Sequence, residues 1–260
     1  MLRVRVIPVL FLMDGQIVRS EGFNDFKVIG NPYSELERYS QWRADELVYV
    51  DISRGEGHGT HRGDHKVKVD GDLLSILRVI SRHAFMPLTF GGHVDALDQA
   101  SEIISNGADK VLVNTAAYRD PSLVTAISER HGIQATVVGI DILRESGELH
   151  VLVDQGRERT GLDLVNYARR IEALGAGEIL LNSIDRDGSG NGYDLEAIEM
   201  VAGAVSIPVI ACGGCGVIEH MAHAVSKGAS AVAAGNIFHF TENAYPRAKQ
   251  TLRRKGVAVR

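Results

Sequence analysis

The sequence predicts a closed (β/α)8 barrel, and three observations lead there. Eight short runs rich in Val, Ile, Leu and Ala recur along the chain. Amphipathic stretches with helix start and stop signals separate them. The pattern fills 260 residues with no linker or low-complexity segment, as expected of one barrel domain over residues 1–260.

The candidate strands are, in order, Val4–Leu10, Glu46–Asp51, Met86–Phe90, Lys110–Val113, Ala135–Ile140, Glu178–Asn182, Ile207–Ala211 and Ala231–Ala234. Each is apolar at nearly every position, the pattern of parallel strands buried on both faces. The helical stretches carry their own punctuation. "NPYSELERYSQW" opens with Asn31 as cap and Pro32 at the first helical position. "DPSLVTAISERHG" repeats the device with Asp120 and Pro121, and Gly132 ends it. "DLVNYARRIEALGAG" and "DLEAIEMVAGAV" begin with acidic caps and continue with apolar residues at helical spacing.

The chain also repeats itself. Arg43–Ser53 (RADELVYVDIS) resembles Gly175–Asp185 (GAGEILLNSID), which matches Glu46 to Glu178. "PLTFGG…NGADKVLVNTAA" resembles "PVIACGG…KGASAVAAGNIF", with Gly91-Gly92 set against Gly213-Gly214. The barrel therefore reads as two similar half-barrels, and Phe11 falls opposite Asp141. Two similar loop sets suit a ligand with a phosphate at each end.

Composition narrows the function classes. Hydrophobic residues are 45%, charged residues 23% and aromatics 6%, ordinary values for a globular protein. A net charge of -5 argues against nucleic acid or an anionic membrane as partner. No apolar stretch approaches the ~18–20 residues of a membrane span, and Ile7–Met13 is short and contains Pro8, so the cytoplasm is the expected location. Cys212 and Cys215 read as structural thiols of a strand-to-loop turn in a reducing compartment, the alternative for such a C-x-x-C being redox or zinc chemistry. No cofactor or metal site is expected.

Barrel active sites lie at the C-terminal ends of the strands. Asp141 follows the fifth strand and "SIDRDGSGNGYD" (Ser183–Asp194) the sixth. Gly91–His93 and Asn114–Ala117 follow the third and fourth, while Gly213–Gly216 and Gly235-Asn236 follow the seventh and eighth. Paired glycines let backbone N–H groups approach an anion, although tight turns use the same residues. Asp141 and Asp187 are candidates for acid–base work. Asp187 is otherwise a turn aspartate beside Gly188, and Asp141 otherwise a helix cap or a buried hydrogen-bonding carboxylate.

"ADELVYVDIS", "NGADKVLVNTAA", "GAGEILLNSIDRDGSGNGYD" and "IFHF" resemble the HisF family, the cyclase subunit of imidazole glycerol phosphate synthase. The resemblance runs from "MLRVRVIP" to "LRRKGVAVR". It implies a barrel paired with a HisH-like glutaminase on its N-terminal face, whose ammonia crosses the barrel to the opposite face. Arg5, Glu46, Lys110 and Glu178 match the ring at the ammonia entrance, and Asp109 matches a residue of the glutaminase interface. The bland reading of the four is a set of exposed ion pairs, worth little each. Of the two family aspartates at the tops of strands one and five, Asp141 matches the second, and Phe11 stands at the first. Asp14, three residues on, is the nearby carboxylate that could stand in for the missing one.

Further departures follow. The family's third glycine after strand three is His93, and Gly235-Asn236 replaces a small residue and a hydroxyl, whereas Gly92, Asn114, Thr115, Gly188 and Gly214 match its anion-binding positions. The loop after strand two is longer than the family norm and carries His58, His61 and His65, a mobile polar loop or a metal-binding one. An intact entrance beneath an altered mouth resembles HisF paralogues associated with surface polysaccharides. That resemblance implies amidation of an acetamido sugar by a separate ATP-dependent amidotransferase, with a phosphorylated or sugar-nucleotide ligand. The alternatives are an authentic histidine-pathway cyclase and a non-catalytic scaffold that activates the glutaminase.

Overall fold

The computed structural model describes residues 3–53 and 73–260. Eight strands form the barrel: β1 (Arg5–Met13), β2 (Leu47–Asp51), β3 (Leu88–Gly91), β4 (Lys110–Val113), β5 (Thr136–Glu145), β6 (Glu178–Ser183), β7 (Val209–Cys212) and β8 (Ala231–Ala234). Each pairs in parallel with the next, and β8 returns to β1 with Arg5 opposite Ala231, so the sheet is closed. The expected (β/α)8 barrel is the observed one.

Ten helices accompany the strands among the described residues: α1 (Pro32–Gln41), α2 (Leu73–His83), α3 (Leu97–Ser105), α4 (Thr115–Arg119), α5 (Ser122–His131), α6 (Leu164–Ala173), α7 (Leu195–Ala202), α8 (Ile218–Ser226), α9 (Asn236–Phe240) and α10 (Ala244–Arg254). Asn31 caps α1 as its sequence indicates, its Oδ1 accepting from the N–H groups of Tyr33 at 3.0 Å and Ser34 at 2.9 Å. Asp163 and Asp194 cap α6 and α7 in the same way. The Asp120-Pro121 signal marks a junction, because α4 ends just before it and α5 begins just after it. None of these helices is long and apolar enough to cross a membrane.

Two strands overrun their expected limits for one reason. β1 continues to Met13 and β5 to Glu145, and each then folds back as a hairpin over the mouth. Gln16–Glu21 pairs antiparallel with the end of β1, and Glu148–Val153 with the end of β5. The turns are Asp14-Gly15 and Ser146-Gly147, and all four residues have positive φ, between 49° and 86°. Further short strands, Asp25–Gly30 and Glu158–Arg159, complete the two excursions. Residues His58, His61 and His65 lie outside the described residues.

Side chains alternate across each barrel strand, so one set faces the helices and the other the lumen. The larger core cluster lies between sheet and helices and includes Tyr39, Tyr49, Phe90, Phe238 and Tyr245. A separate cluster fills the lumen: Ile7, Val9, Val48, Leu112, Val137, Leu180, Ile210, Cys212, Ala231 and Ala233. Aliphatic and small side chains thus separate the bottom of the barrel from its mouth.

Candidate active site

At the bottom, four charged side chains form a continuous ring. Arg5 Nη1 donates to Glu46 Oε2 at 2.7 Å and to Glu178 Oε1 at 3.0 Å. Lys110 Nζ donates to Glu46 Oε1 at 2.8 Å and to Glu178 Oε1 at 3.1 Å. Each cation therefore touches both anions. Burial works against the Arg5 charge, but the pull of Glu178 and Glu46 outweighs it and the net shift of its pKa is upward. The side chains are not exposed surface pairs, because Glu46 is 1% and Lys110 13% accessible. Thr89 also belongs here, its hydroxyl donating to Glu46 Oε1 at 2.9 Å. Asp109, beside Lys110, accepts the Leu88 N–H at 2.8 Å and so ties β4 to β3 at the same end.

At the mouth, Asp141 lies midway along β5, where its parallel pairing with β6 is about to end, and is 6% exposed. Its two oxygens are held by amides from both sides: Asn114 Nδ2 donates to Oδ2 at 2.7 Å, and Asn182 Nδ2 to Oδ1 at 2.9 Å. Burial pushes the carboxyl's pKa up, the two amide donors pull it back, and the upward effect prevails.

Strand register makes Phe11 the structural counterpart of Asp141. Phe11 pairs with Val50 of β2, and Asp141 with Asn182 of β6, at matching positions of the two half-barrels. Both line the same cavity of about 420 Å³. The Phe11 ring meets Phe23 edge to face, with centroids 5.3 Å apart. Phe23 belongs to an apolar cluster with Val18, Ile52, Leu152 and Ile184 beneath the hairpins. Asp14 does not fill the gap, because it is the first turn residue of the hairpin, with its N–H donating to Ser53 Oγ at 2.9 Å.

Register also moves the glycine match by one residue. Val50 pairs with Gly91 where Asn182 pairs with Cys212, so Gly91 corresponds to Cys212, Gly92 to Gly213 and His93 to Gly214. Packing agrees. A Cβ on Gly92 would run into the Asp51 carbonyl of β2, and one on Gly213 into the Ser183 carbonyl of β6. The visible GG pairs suggest the wrong alignment, whereas the close approach of the backbones fixes the true correspondence. His93 has a φ of 55°, in the region its counterpart Gly214 occupies at 97°.

Gly188, Gly214, Gly235 and Asn236 line a second, smaller cavity of about 210 Å³. Asn236 Nδ2 donates to the Ser20 carbonyl of the first hairpin at 3.0 Å. Its counterpart Thr115 accepts the Asp154 N–H of the second excursion at 2.9 Å. Both residues therefore hold the mouth hairpins. Asp187 does likewise: its carbonyl accepts the Gly22 N–H at 2.9 Å and its Oδ2 the Phe23 N–H at 3.4 Å. Burial pushes the Asp187 pKa up to about 6, against the opposing pull of the nearby Ser20 hydroxyl and the Phe23 N–H. Cys212 and Cys215 are both free; burial raises the first thiol strongly and the second to about 12.

A family model described as histidine biosynthesis protein matches residues 5–244. Imidazole glycerol phosphate synthase subunit HisF of Chlorobium luteolum is 40% identical over 261 residues, covering 100% of both chains. The subunit of the same name from Alkaliphilus metalliredigens is 39% identical over 262 residues, again across both chains. That of Streptomyces avermitilis is 41% identical over 260 residues, covering 100% of this chain and 99% of the relative. The chain belongs to the HisF family. This HisF-family barrel has Phe11 on β1 facing the cavity that Asp141 faces from β5. Thr89 and Asn182 are the site residues that sequence reasoning missed; the strand period, counted from Lys110 and Glu178 across the register, is the signal that finds them.

The ring is a buried network, so removing one member strands the others. Glu46→Ala is expected to lower the unfolding free energy in urea by about 3 kcal/mol, with Glu46→Gln losing less. For Asp187 the folded pKa of about 6 exceeds the ordinary 3.8, so the native state holds its proton more tightly. Its contribution to stability falls as pH rises between those values and is level above them. Asp187→Asn should therefore gain on the parent by on the order of 2 kcal/mol as urea titrations move from pH 4 to pH 7.

Proposed function

We propose that the chain is the synthase subunit of a glutaminase-coupled pair, passing ammonia from the bottom of the barrel through the lumen to an acceptor at the mouth. The observation that carries this reading is the four-residue ring beneath an aliphatic lumen. Neutral ammonia enters apolar surroundings far more readily than ammonium, whose charge must be desolvated. On this reading a HisH-like glutaminase docks around Asp109, and the exchange of ion-pair partners within the ring opens the entrance.

The names of the relatives support the acceptor of histidine biosynthesis. The ammonia nitrogen then replaces the aminoimidazole nitrogen on the formimino carbon of a phosphoribulosyl aminoimidazole precursor and condenses with the ribulosyl carbonyl, closing the ring of imidazole glycerol phosphate while the aminoimidazole carboxamide ribotide and one water leave. Asp141 supplies the proton-transfer group, and the glycine-rich cavity beside Gly188, Gly214 and Asn236 takes a phosphate.

A second reading is favoured by Phe11, whose ring neither gives nor takes a proton. Here the barrel conducts ammonia to a separate ATP-dependent amidotransferase that converts an acetamido sugar of a surface polysaccharide to its acetamidino form. A conduit needs no acid at β1, whereas a cyclase without one loses ~10²–10⁴-fold in rate.

Purified barrel supplied with ammonium and the aminoimidazole precursor separates the two. Turnover comparable to that of a HisF relative supports the cyclase; a rate at least ~10²-fold lower supports the conduit. In the glutaminase complex, Lys110→Ala should let glutamine hydrolysis continue while ammonia delivery drops. Unchanged coupling would instead support a scaffold that activates the glutaminase without passing ammonia.

A further inference from the structure

The repeat that relates the two half-barrels extends from the strands into the helices that follow them. Gly91, Gly92 and His93 correspond to Cys212, Gly213 and Gly214, and further along Gln99 of α3 stands opposite His220 of α8. Each is the third residue of its helix, where a side-chain acceptor reaches back to the free N–H groups at the helix start. Gln99 Oε1 accepts from the Asp95 N–H at 2.8 Å and the Ala96 N–H at 3.3 Å. His220 Nδ1 accepts from the equivalent pair, the Gly216 N–H at 3.3 Å and the Val217 N–H at 3.5 Å. The two caps share a form and differ in one chemical respect. An amide oxygen accepts at any ordinary pH, whereas an imidazole accepts on Nδ1 only while that nitrogen carries no proton.

His220 holds more than its own helix. Its ring lies against Gly192, where a Cβ would come 3.4 Å from the imidazole Cδ2. The Gly192 N–H in turn donates to the Gly214 carbonyl at 2.7 Å. Gly216 packs closely on Gly190, so that a Cβ there would lie 2.3 Å from the Gly190 carbonyl oxygen. Gly188, Gly190, Gly213, Gly214 and Gly216 all line the smaller cavity of the mouth. The imidazole therefore ties the loop after β6 to the loop after β7, and both loops wall that cavity. The ring itself faces a separate hollow of about 460 Å³. Among the described residues, the charged and titratable groups there are Arg144 of β5, Arg186 and Asp194 of the loop after β6, Glu196 of α7 and His223 of α8. Arg144 engages Asp194 at 2.9 Å and Glu196 at 3.2 Å. Burial and the neighbouring His223 hold the His220 imidazole below its ordinary range, and the opposing pull of Glu219 does not reverse this.

We propose that His220 is a positioning residue for the smaller cavity: its neutral ring, with the proton on Nε2, fixes the loop after β7 in the shape that takes a phosphate, and acid releases that loop. The inference rests on the phosphate reading of that cavity. Protonation puts a hydrogen on Nδ1 that points at two N–H groups, so both bonds are lost together. The first half, capped by Gln99, has no such dependence. A cationic ring acting only through its charge would do the opposite and tighten the hold on a phosphate in acid. The sign of the pH dependence therefore separates a cap from a simple charge.

Inorganic phosphate is titrated into the full chain while the backbone amide signal of Gly214 is followed by NMR, which reads this cavity apart from any other phosphate site. From about pH 7.5 to about pH 5 the parent should lose at least about threefold more affinity than His220→Gln, which gives the second half the cap of the first. Phosphate and Asp187, which lines the same cavity, titrate in both proteins, so their effects cancel in the comparison. The unaltered chain supplies a second measurement that needs no variant. Saturating phosphate should lower the pH midpoint of the His220 ring nitrogens, because a ligand that needs the neutral ring favours it in return. A midpoint raised by phosphate, or the same pH dependence in the parent and His220→Gln, would overturn the proposal. A Gly214 signal indifferent to phosphate at every pH would remove the phosphate reading and the inference with it, whereas binding with the wrong pH dependence overturns the inference alone.

Discussion

Closing an eight-stranded parallel sheet decides which side chains look into the lumen, because residues alternate faces along every strand. The consequence is visible as a shared rhythm. β1 sends in Arg5, Ile7, Val9 and Phe11, and β6 sends in Glu178, Leu180 and Asn182. Lys110, Leu112 and Asn114 follow the same order on and after β4. Charge at the bottom and aliphatic carbon in the middle are therefore shared by these three strands, with polar side chains at the top of β4 and β6 and the Phe11 ring at the top of β1. A shift of one residue in any strand would turn its charge towards the helices and leave the ring broken.

The half-barrel repeat survives most clearly in the backbone. β1 and β5 both outgrow the barrel into hairpins, and Asn236 and Thr115 each secure one of them. Divergence lies in the side chains at both ends of the lumen: at the bottom Arg5 and Lys110 of the first half correspond to Ala135 and Ala231 of the second. Phe11 faces Asp141, Val50 corresponds to Asn182, and His93 to Gly214. The first half has a ring and an imidazole where the second has a carboxylate and a glycine. The outcome is a scaffold with near symmetry and a mouth without it.

The barrel could be read from the residues because its strands are short, nearly continuous apolar runs separated by punctuated helices, whereas the ring was legible only through the resemblance to the HisF family. β4 and β8 even begin and end where the apolar runs do. The hairpins were harder, since Asp14-Gly15 and Ser146-Gly147 sit inside runs that look like strand ends followed by loops. Thr89 is a common strand residue, and nothing local marks its bond to Glu46, 43 positions away. Asn182 is similar: its role follows from the carboxylate on the neighbouring strand. Asp187 read as a catalytic candidate or a turn residue, and its hold on Phe23 depends on a contact across 164 positions. Long-range pairing, unlike periodicity, leaves no trace in a short window of sequence.

Phe11 belongs to two apolar clusters at once, the one that fills the lumen and the one under the hairpins. Its ring is the hinge pin between them, held edge-on by Phe23. A carboxylate placed at that position would face the cavity that Asp141 lines, but it would lose the ring's packing on Phe23 and leave a gap beside it. Phe23, Val18 and Val50 would all have to be resculpted before such a group could work. The ring therefore acts as an evolutionary ratchet: with its neighbours settled around it, the way to an acid at this position runs through several simultaneous changes, and no single step along it is free of cost.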